Sequence, residues 1–203
     1  MSLPTKEESI QGVEAFESRE RRDAMHKMAT FLVSHFWGTP SDMADGLGVL
    51  LLTWNQAFYR YGNFDFDKLE SCIARNLQKL GNFRKRKIST LSIHDEDDVK
   101  HLFVQFLDAL QIDSGKKKGD KSPVAVAKAL HLLAPDFFPL WDKGIAEAYD
   151  CQYGKEPAES YVSFCKIMRG MAGRIGQYVT RSGKTLLKLI DEYNYSKYTK
   201  KWI

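Results

Sequence analysis

Residues 121–142 read KSPVAVAKALHLLAPDFFPLWD, and this stretch decides how we interpret the chain. Ser122 can cap a helix that begins with proline, because its side chain accepts backbone N–H groups and proline has none to satisfy. Small and apolar residues follow at helical spacing. Pro135 and Pro139 then bracket a non-helical segment, and Asp142 is placed to open the next helix. The stretch predicts a helix, an extended return and a second helix that begins with a carboxylate.

The rest of the chain carries the same helical periodicity, and no alternation of period two predicts a strand. One amphipathic segment has Met25, Met28 and Phe31 on its apolar side. Without a repeat, low-complexity tract or long linker, we expect residues 1–203 to form a single all-α domain, a compact multi-helix bundle. The connector is expected at 81–93, and the predicted helices outside the central stretch span 13–36, 41–62, 65–80, 94–110, 142–150, 156–169 and 182–193.

Composition points to a cytoplasmic protein. Hydrophobic residues make up 43% of the chain, which argues against disorder, yet the longest apolar run, 48–54, is far too short for a membrane span. The first twenty residues are charged instead of resembling a signal peptide. Three cysteines without a CxxC pair argue against a disulfide scaffold or a cysteine-rich zinc site. We expect no membrane association, metal or cofactor, and the sequence leaves the oligomeric state open.

Positive charge is concentrated in the C-terminal half. Residues 1–110 hold 14 Lys and Arg against 16 Asp and Glu, whereas residues 111–203 hold 16 against 10. The net charges are therefore −2 and +6, and a basic half attracts phosphate backbones or acidic partners. The final segment, 193–203, is rich in Tyr and Lys and is typical of a flexible or docking tail. The charge pattern favours nucleic acid, most simply DNA, as a partner.

The lysine loop, residues 113–121, is the clearest loop in the chain and ends at the helix start. A helix N-terminus carries unpaired N–H groups and a partial positive charge, so it favours an anion. The loop and cap therefore predict a phosphate-binding end, and the alternative is a solvated basic loop without a ligand. The residues that would contact phosphate are Lys116, Lys117, Lys118, Gly119, Lys121 and Ser122.

The extended return can bring Asp142 back toward the lysine loop. A helix of about thirteen residues is roughly 20 Å long, and seven extended residues can span roughly 23 Å. Asp142 would then lie near Lys121, at a helix start that keeps a carboxylate ionised. Such a carboxylate can activate a nucleophile or stabilise a cationic sugar. The alternative is an aspartate that only caps its helix.

This run resembles the central motif of the helix-hairpin-helix DNA glycosylases, which has a hairpin, an apolar helix, a proline-containing return and an aspartate. The resemblance implies an all-α fold that binds DNA phosphates through hairpin amides and flips a damaged base. It also implies that Asp142 acts in cleavage of the glycosidic bond, and that Lys121 stands nearest to the amine nucleophile of bifunctional members. Only Gly119 lies next to the helix start, where the family has two glycines, and this favours a non-catalytic binder as the alternative.

An earlier helix fits the same interpretation. Asn55 and Gln56 could hydrogen-bond a base edge, and Trp54, Phe58 or Tyr59 could stack on the base. The alternative is a core helix whose aromatic side chains pack internally. Three functions therefore remain open: a base-excision-repair glycosylase, a non-catalytic nucleic-acid binder on the same scaffold, and a helical protein-interaction module.

Overall fold

A computed structural model describes residues 3–181 and 183–203, and this part of the chain is helical without a strand. Short 3-10 turns lie at Ile88–Thr90 and Ile93–Asp95, and a π-helical turn lies at Tyr195–Thr199. Within these ranges no helix is both long enough and apolar enough to cross a membrane. The helices are α1 (Lys6–Arg19), α2 (Ala24–His35), α3 (Pro40–Trp54), α4 (Gln56–Tyr59), α5 (Phe66–Arg84), α6 (Glu96–Ala109), α7 (Pro123–Leu133), α8 (Lys143–Ala148), α9 (Pro157–Ile175) and α10 (Leu186–Asn194).

One hydrophobic core joins elements from both halves of the chain, from Val13 in α1 to Tyr193 in α10. Helix α7 lies inside this core and contacts α2, α3 and α6. Helix α3 also packs on α5, α6 packs on α9, and α10 packs on α1 and α9. The arrangement confirms the prediction of an all-α, multi-helix domain.

The predicted cap of α7 is confirmed. Ser122 is extended, and its hydroxyl accepts a hydrogen bond from the Ala125 N–H group at 3.2 Å. Asp142 likewise caps α8, where its Oδ1 accepts from the Ile145 N–H group at 2.8 Å. Both predictions rest on side chains that satisfy the first free N–H groups of a helix, which is a local property of the sequence.

The return between these helices is held by hydrogen bonds to its carbonyl groups. The Tyr161 hydroxyl donates to the Pro139 carbonyl at 2.8 Å, and the Phe138 carbonyl lies 2.8 Å from His131 Nδ1. The side chains of Phe137, Phe138 and Trp141 are buried in the core. A buried and hydrogen-bonded return fixes the position of Asp142 at its end.

Several helix boundaries differ from those predicted. Helix α3 begins at Pro40 with Thr39 as its N-cap. It ends at Trp54, whereas the sequence predicted one continuous helix over 41–62. Helix α5 continues to Arg84 because Phe83 is buried. Helix α9 continues six residues past its expected end, since the apolar stripe continues there to a buried Ile175.

Helix α2 turns a different face to the core from the one predicted. Ala29 and Val33 are buried, whereas Met28 and Phe31 are 53% and 59% exposed. The small Ala29 side chain allows α2 to approach α3 and α7 closely. The last helix begins at Leu186, and its predicted start at Ser182 lies outside the described residues.

The C-terminal segment packs against the body of the protein. The turn Tyr195–Thr199 contacts α1, α8 and α10. The Ser196 hydroxyl donates to the Gly12 carbonyl at 2.8 Å. A Cβ atom on Gly12 would lie 2.7 Å from Tyr193 Cδ2, so glycine permits this approach. The segment that the sequence assigned to a flexible or docking tail thus brings Thr199 to the end of the return.

Candidate active-site pocket

A pocket of about 720 Å³ lies where the return, α7, α10 and the connection between α1 and α2 meet. This volume is within the range of small-molecule sites in proteins. Four of the seven apolar residues in its lining are aromatic, and the seven are Phe16, Ala24, Met25, Trp54, Leu140, Trp141 and Tyr195. Its charged lining consists of Arg19, Glu20, Arg21, Arg22, Asp23, Lys128, Asp142, Lys188 and Asp191.

Asp142 lines this pocket and is held at both carboxylate oxygens. Oδ1 accepts from the Ile145 N–H group at 2.8 Å, and Oδ2 accepts from the Thr199 hydroxyl at 2.7 Å. Asp142 therefore caps its helix, which was the purely structural alternative. It also lines the pocket, which a role in chemistry needs.

Lys128 brings an amine into the same pocket from α7. Its Nζ donates to the Trp54 carbonyl at 2.9 Å and lies 4.7 Å from the centre of the Trp54 ring. Burial lowers the pKa of Lys128 to about 8, although the attraction of Asp142 and Asp191 opposes this shift. An appreciable fraction of this side chain is therefore the neutral, nucleophilic amine near neutral pH.

Lys188 is almost fully buried and holds its charge among three carboxylates. Its Nζ lies 3.1 Å from Asp23 Oδ2, 3.5 Å from Asp191 Oδ2 and 3.6 Å from Glu192 Oε1. Burial alone would lower the pKa of Lys188, but these carboxylates outweigh it and raise the pKa. Asp23, which has a left-handed backbone conformation with φ of 39°, joins the connection between α1 and α2 to this cluster.

Asp191 has a different environment from Asp142. Burial raises the pKa of Asp191 to about 7 against the opposing attraction of Lys188, and the charges of Asp142, Glu192 and Asp23 add to the increase. The side chain remains 13% exposed. Asp191 is therefore a carboxyl group that can hold a proton near neutral pH and still line the pocket.

The predicted amine, Lys121, is not among the residues that line the pocket. Its Nζ pairs with Asp108 Oδ1 at 2.5 Å on the surface. The return reaches back along α7 as far as Lys128, which lies six residues after Ser122, or about 9 Å along the helix. The structure thus brings Asp142 to Lys128 where the sequence predicted Lys121.

The lysine loop is a closed and exposed turn beside the start of α7. The Gly119 N–H group donates to the Ile112 carbonyl at 2.7 Å, and Gly119 has a φ of 93°, which favours glycine. Lys116, Lys117 and Lys118 are exposed and form no ion pair within the described residues. They are available to a phosphate backbone, but they lie outside the pocket.

Trp54, Asn55 and Gln56, which were predicted to contact a base, lie in three different environments. Trp54 lines the pocket, whereas Gln56 is exposed on α4 and does not line it. Asn55 donates through Nδ2 to the Ser122 hydroxyl at 3.2 Å, so both side chains connect the end of α3 to the start of α7. Of these residues, Trp54 is the one that the structure brings to Asp142.

Sequence reasoning missed Lys128, Lys188 and Asp191. One signal was visible for Lys128, because it is the only charged residue between Pro123 and Leu133. The sequence held no such signal for the other two, since alternating apolar and charged residues in the last helix are also typical of a solvated face. Their burial depends on α1 and on the C-terminal turn, which cover α10.

Comparison of the chain with protein-family models, curated proteins and solved structures finds no significant match. Among the described residues, no group of three or more His, Cys, Asp or Glu side chains is arranged to hold a metal ion.

Proposed function

We propose that this protein binds DNA and hydrolyses the N-glycosidic bond of a flipped base, with Asp142 facing the sugar. One observation carries the proposal: the carboxylate at the end of the proline-braced return lies in the wall of a pocket of about 720 Å³. Both of its oxygens accept hydrogen bonds, so its orientation is fixed before a substrate arrives.

The chemistry of the pocket suits this reaction. Cleavage of a glycosidic bond passes through a cationic sugar, which a fixed carboxylate stabilises most strongly in a site that excludes water. Aromatic side chains such as Trp54 and Tyr195 offer faces on which a base can stack. Asp142 can also accept a proton from the water that attacks C1′.

Positive charges at the pocket and in the lysine loop support DNA as the substrate. Arg19 at the end of α1, and Arg21 and Arg22 on the connection to α2, line the pocket. The lysine loop lies beyond Lys128 at the start of α7. A strand whose flipped nucleotide enters the pocket can therefore place flanking phosphates near either basic segment, and such contacts position the backbone.

We assign the amine of a lyase step to Lys128 instead of Lys121. Lys128 shares the pocket with Asp142, and its pKa is lowered to about 8 by burial. Lys121 is exposed and paired with Asp108. A nucleophilic lysine needs its neutral amine, and desolvation favours that form.

The proposal is tested with duplexes that each carry one modified base. We expect the wild type to release at least one base, and Asp142→Asn to lose about 100-fold or more in rate, since a fixed charge is removed. Asparagine is also a good N-cap, so the helix start should survive. Asp97→Asn in the first turn of α6 is the matched control, because this exposed carboxylate does not line the pocket.

The alternatives give different results. A non-catalytic binder would hold duplex DNA with a steep salt dependence and release no base from any duplex. A helical interaction module would show no salt-dependent DNA binding at all. Equal rates for Asp142→Asn and the wild type would contradict the assignment of Asp142 even if base release occurs.

A further inference from the structure

Asp142 and Asp191, two of the three aspartates that line the pocket, are held differently. Asp142 accepts hydrogen bonds at both oxygens, from Ile145 and Thr199. Asp191 comes from α10, and within the described residues its one ion pair is with Lys188, at 3.5 Å. Lys188 in turn is nearer to Asp23, at 3.1 Å. One carboxylate is therefore fixed as a hydrogen-bond acceptor, whereas the other is left free to carry and transfer a proton.

Resting on the proposed function, we propose that Asp191 is the proton donor for the departing base, and that the pocket is built to cleave neutral purines. A neutral purine leaves slowly as an anion and readily once a ring nitrogen is protonated. A general acid beside the base provides that proton, and the fixed Asp142 stabilises the sugar cation. The two carboxyl groups thus have separate roles set by their separate environments.

The reaction balances with water as the only co-reactant. The bond between C1′ and N9 breaks, and its electron pair moves to the base. The proton of Asp191 passes to a ring nitrogen of the purine, so the base leaves as a neutral molecule. Water adds its oxygen to C1′ and gives a proton to Asp142. Transfer of that proton through solvent to Asp191 restores both groups.

The burial of Asp191 favours its protonated form near neutral pH, and the charge of Lys188 opposes this effect. Burial raises the pKa of Asp191 to about 7, which exceeds the lowering effect of Lys188. Since the acid form is the active one, cleavage of neutral purines should be full below pH 7 and should decline above it. The titratable and charged groups that face it are Lys188 and Glu192 on α10, Asp23 before α2, Asp142 before α8 and Lys128 on α7.

A cationic alkylated base provides a direct test. 7-Methylguanine already carries the positive charge that protonation would supply, so it needs no general acid. Two duplex probes, one with 7-methylguanine and one with a neutral purine such as hypoxanthine or 8-oxoguanine, are compared in the wild type and in Asp191→Asn. We expect a loss of about 100-fold or more on the neutral base, typical of a missing general acid. The loss on 7-methylguanine should be below about threefold, because no proton is needed.

The outcomes separate this proposal from the function on which it rests. If the wild type releases no base, the proposed function fails. If the wild type is active and Asp191→Asn loses the same factor on both probes, or nothing on either, the assignment of Asp191 is wrong. Asp142→Asn should lose activity on both probes, which distinguishes the two carboxylates.

A second measurement uses the wild type alone, so it tests the proposal even where the Asp191→Asn variant does not fold. In the wild type, the ratio of the neutral-purine rate to the 7-methylguanine rate should fall about tenfold per pH unit above pH 7. Infrared spectra in D2O should also show the carbonyl band of one neutral carboxylic acid at pH 6, assigned to Asp191. A ratio that is flat between pH 6 and pH 9 would overturn the proposal.

Discussion

The pocket and the lysine loop both contain lysines, but these lysines lie in opposite environments. In the pocket, Lys188 is buried and ion-paired, and burial lowers the pKa of Lys128. In the lysine loop, Lys116 and Lys117 are exposed without an ion pair among the described residues. Desolvation changes which protonation state a group holds, whereas an exposed charge acts mainly through a screened field.

Under the proposed function, the two regions have separate tasks. Chemistry at a sugar or a base requires groups that can give or take a proton near neutral pH, and these lie in the pocket. Attraction of a phosphate backbone requires accessible positive charge, and this lies in the lysine loop. Substitutions in the pocket should therefore change rates, and substitutions in the lysine loop should change affinity and its salt dependence.

The largest expected effect is on covalent trapping by Lys128. With a duplex that carries an abasic site, the amine adds to C1′, water leaves, and borohydride reduces the resulting imine to a stable adduct. We expect Lys128→Ala to lose about 100-fold or more in trapped adduct, because it removes the one lysine with a lowered pKa in the pocket. Trapping by the wild type should increase from pH 6 to pH 8, as the neutral amine becomes more populated.

Two variants make this result specific. Lys121→Ala should trap as the wild type does, since its ammonium group pairs with Asp108 outside the pocket. Lys128→Arg keeps a charge beside Trp54 but offers no nucleophile, and it should trap as poorly as Lys128→Ala. Loss of the adduct in Lys121→Ala alone would reverse our assignment and restore the sequence-based prediction.

The next effect concerns the lysine loop. Lys116→Ala combined with Lys117→Ala should weaken duplex binding by about tenfold at low salt. Each phosphate contact contributes about 0.9 to the logarithmic salt slope, so the slope should decrease by about 2. The rate of base release at saturating DNA should stay within about twofold of the wild type, because these lysines do not line the pocket.

A matched pair of exposed lysines lies at the other end of α7. Lys85 and Lys87 follow α5, whose Arg84 donates to the Leu133 carbonyl at the end of α7, at 2.8 Å. The double variant Lys85→Ala with Lys87→Ala removes the same positive charge from the protein as the double variant of the lysine loop. An equal decrease in slope for both double variants would indicate a general charge effect instead of contacts at the lysine loop.

The helix caps of the site could be predicted from the sequence, but the set of residues that line the pocket could not. The caps at Ser122 and Asp142 depend on residues within three positions, so the pattern identified them. The length of the return predicted that Asp142 would be brought back along α7. It did not fix where along that helix the return would arrive, since this depends on how Phe137 and Phe138 pack in the core.

The same reason explains the errors in helix α2 and the missed residues of α10. Periodicity gives an apolar stripe, but the side that faces the core depends on which neighbour approaches. In α2, the small Ala29 faces inward and Met28 is exposed. In α10, Lys188 is buried and Asp191 is 13% exposed, because α1 and the C-terminal turn pack against this helix. Tertiary contacts of this kind override local pattern.

The smallest expected effect concerns stability, and it comes from the part of α7 that borders the pocket. His131 is fully buried on α7, and its Nε2 lies 3.2 Å from His26 Nε2, beside Trp54. Burial lowers the pKa of both histidines to about 3. The unfolded chain therefore takes up protons before the folded one, and stability is lost as pH falls below about 6.5.

Chemical denaturation at several pH values measures this loss. Between pH 6 and pH 4.5, the free energy of unfolding should fall by ~1.4 kcal/mol per pH unit for each histidine that stays neutral in the folded state. His26→Gln removes one of them and should change the slope by that contribution of ~1.4 kcal/mol per pH unit, whereas His94→Gln at an exposed position should leave it unchanged. An unchanged slope in His26→Gln would mean that this histidine is charged in the folded protein. The side of α7 that borders the pocket would then be less desolvated than the lowered pKa of Lys128 and the raised pKa of Asp191 require.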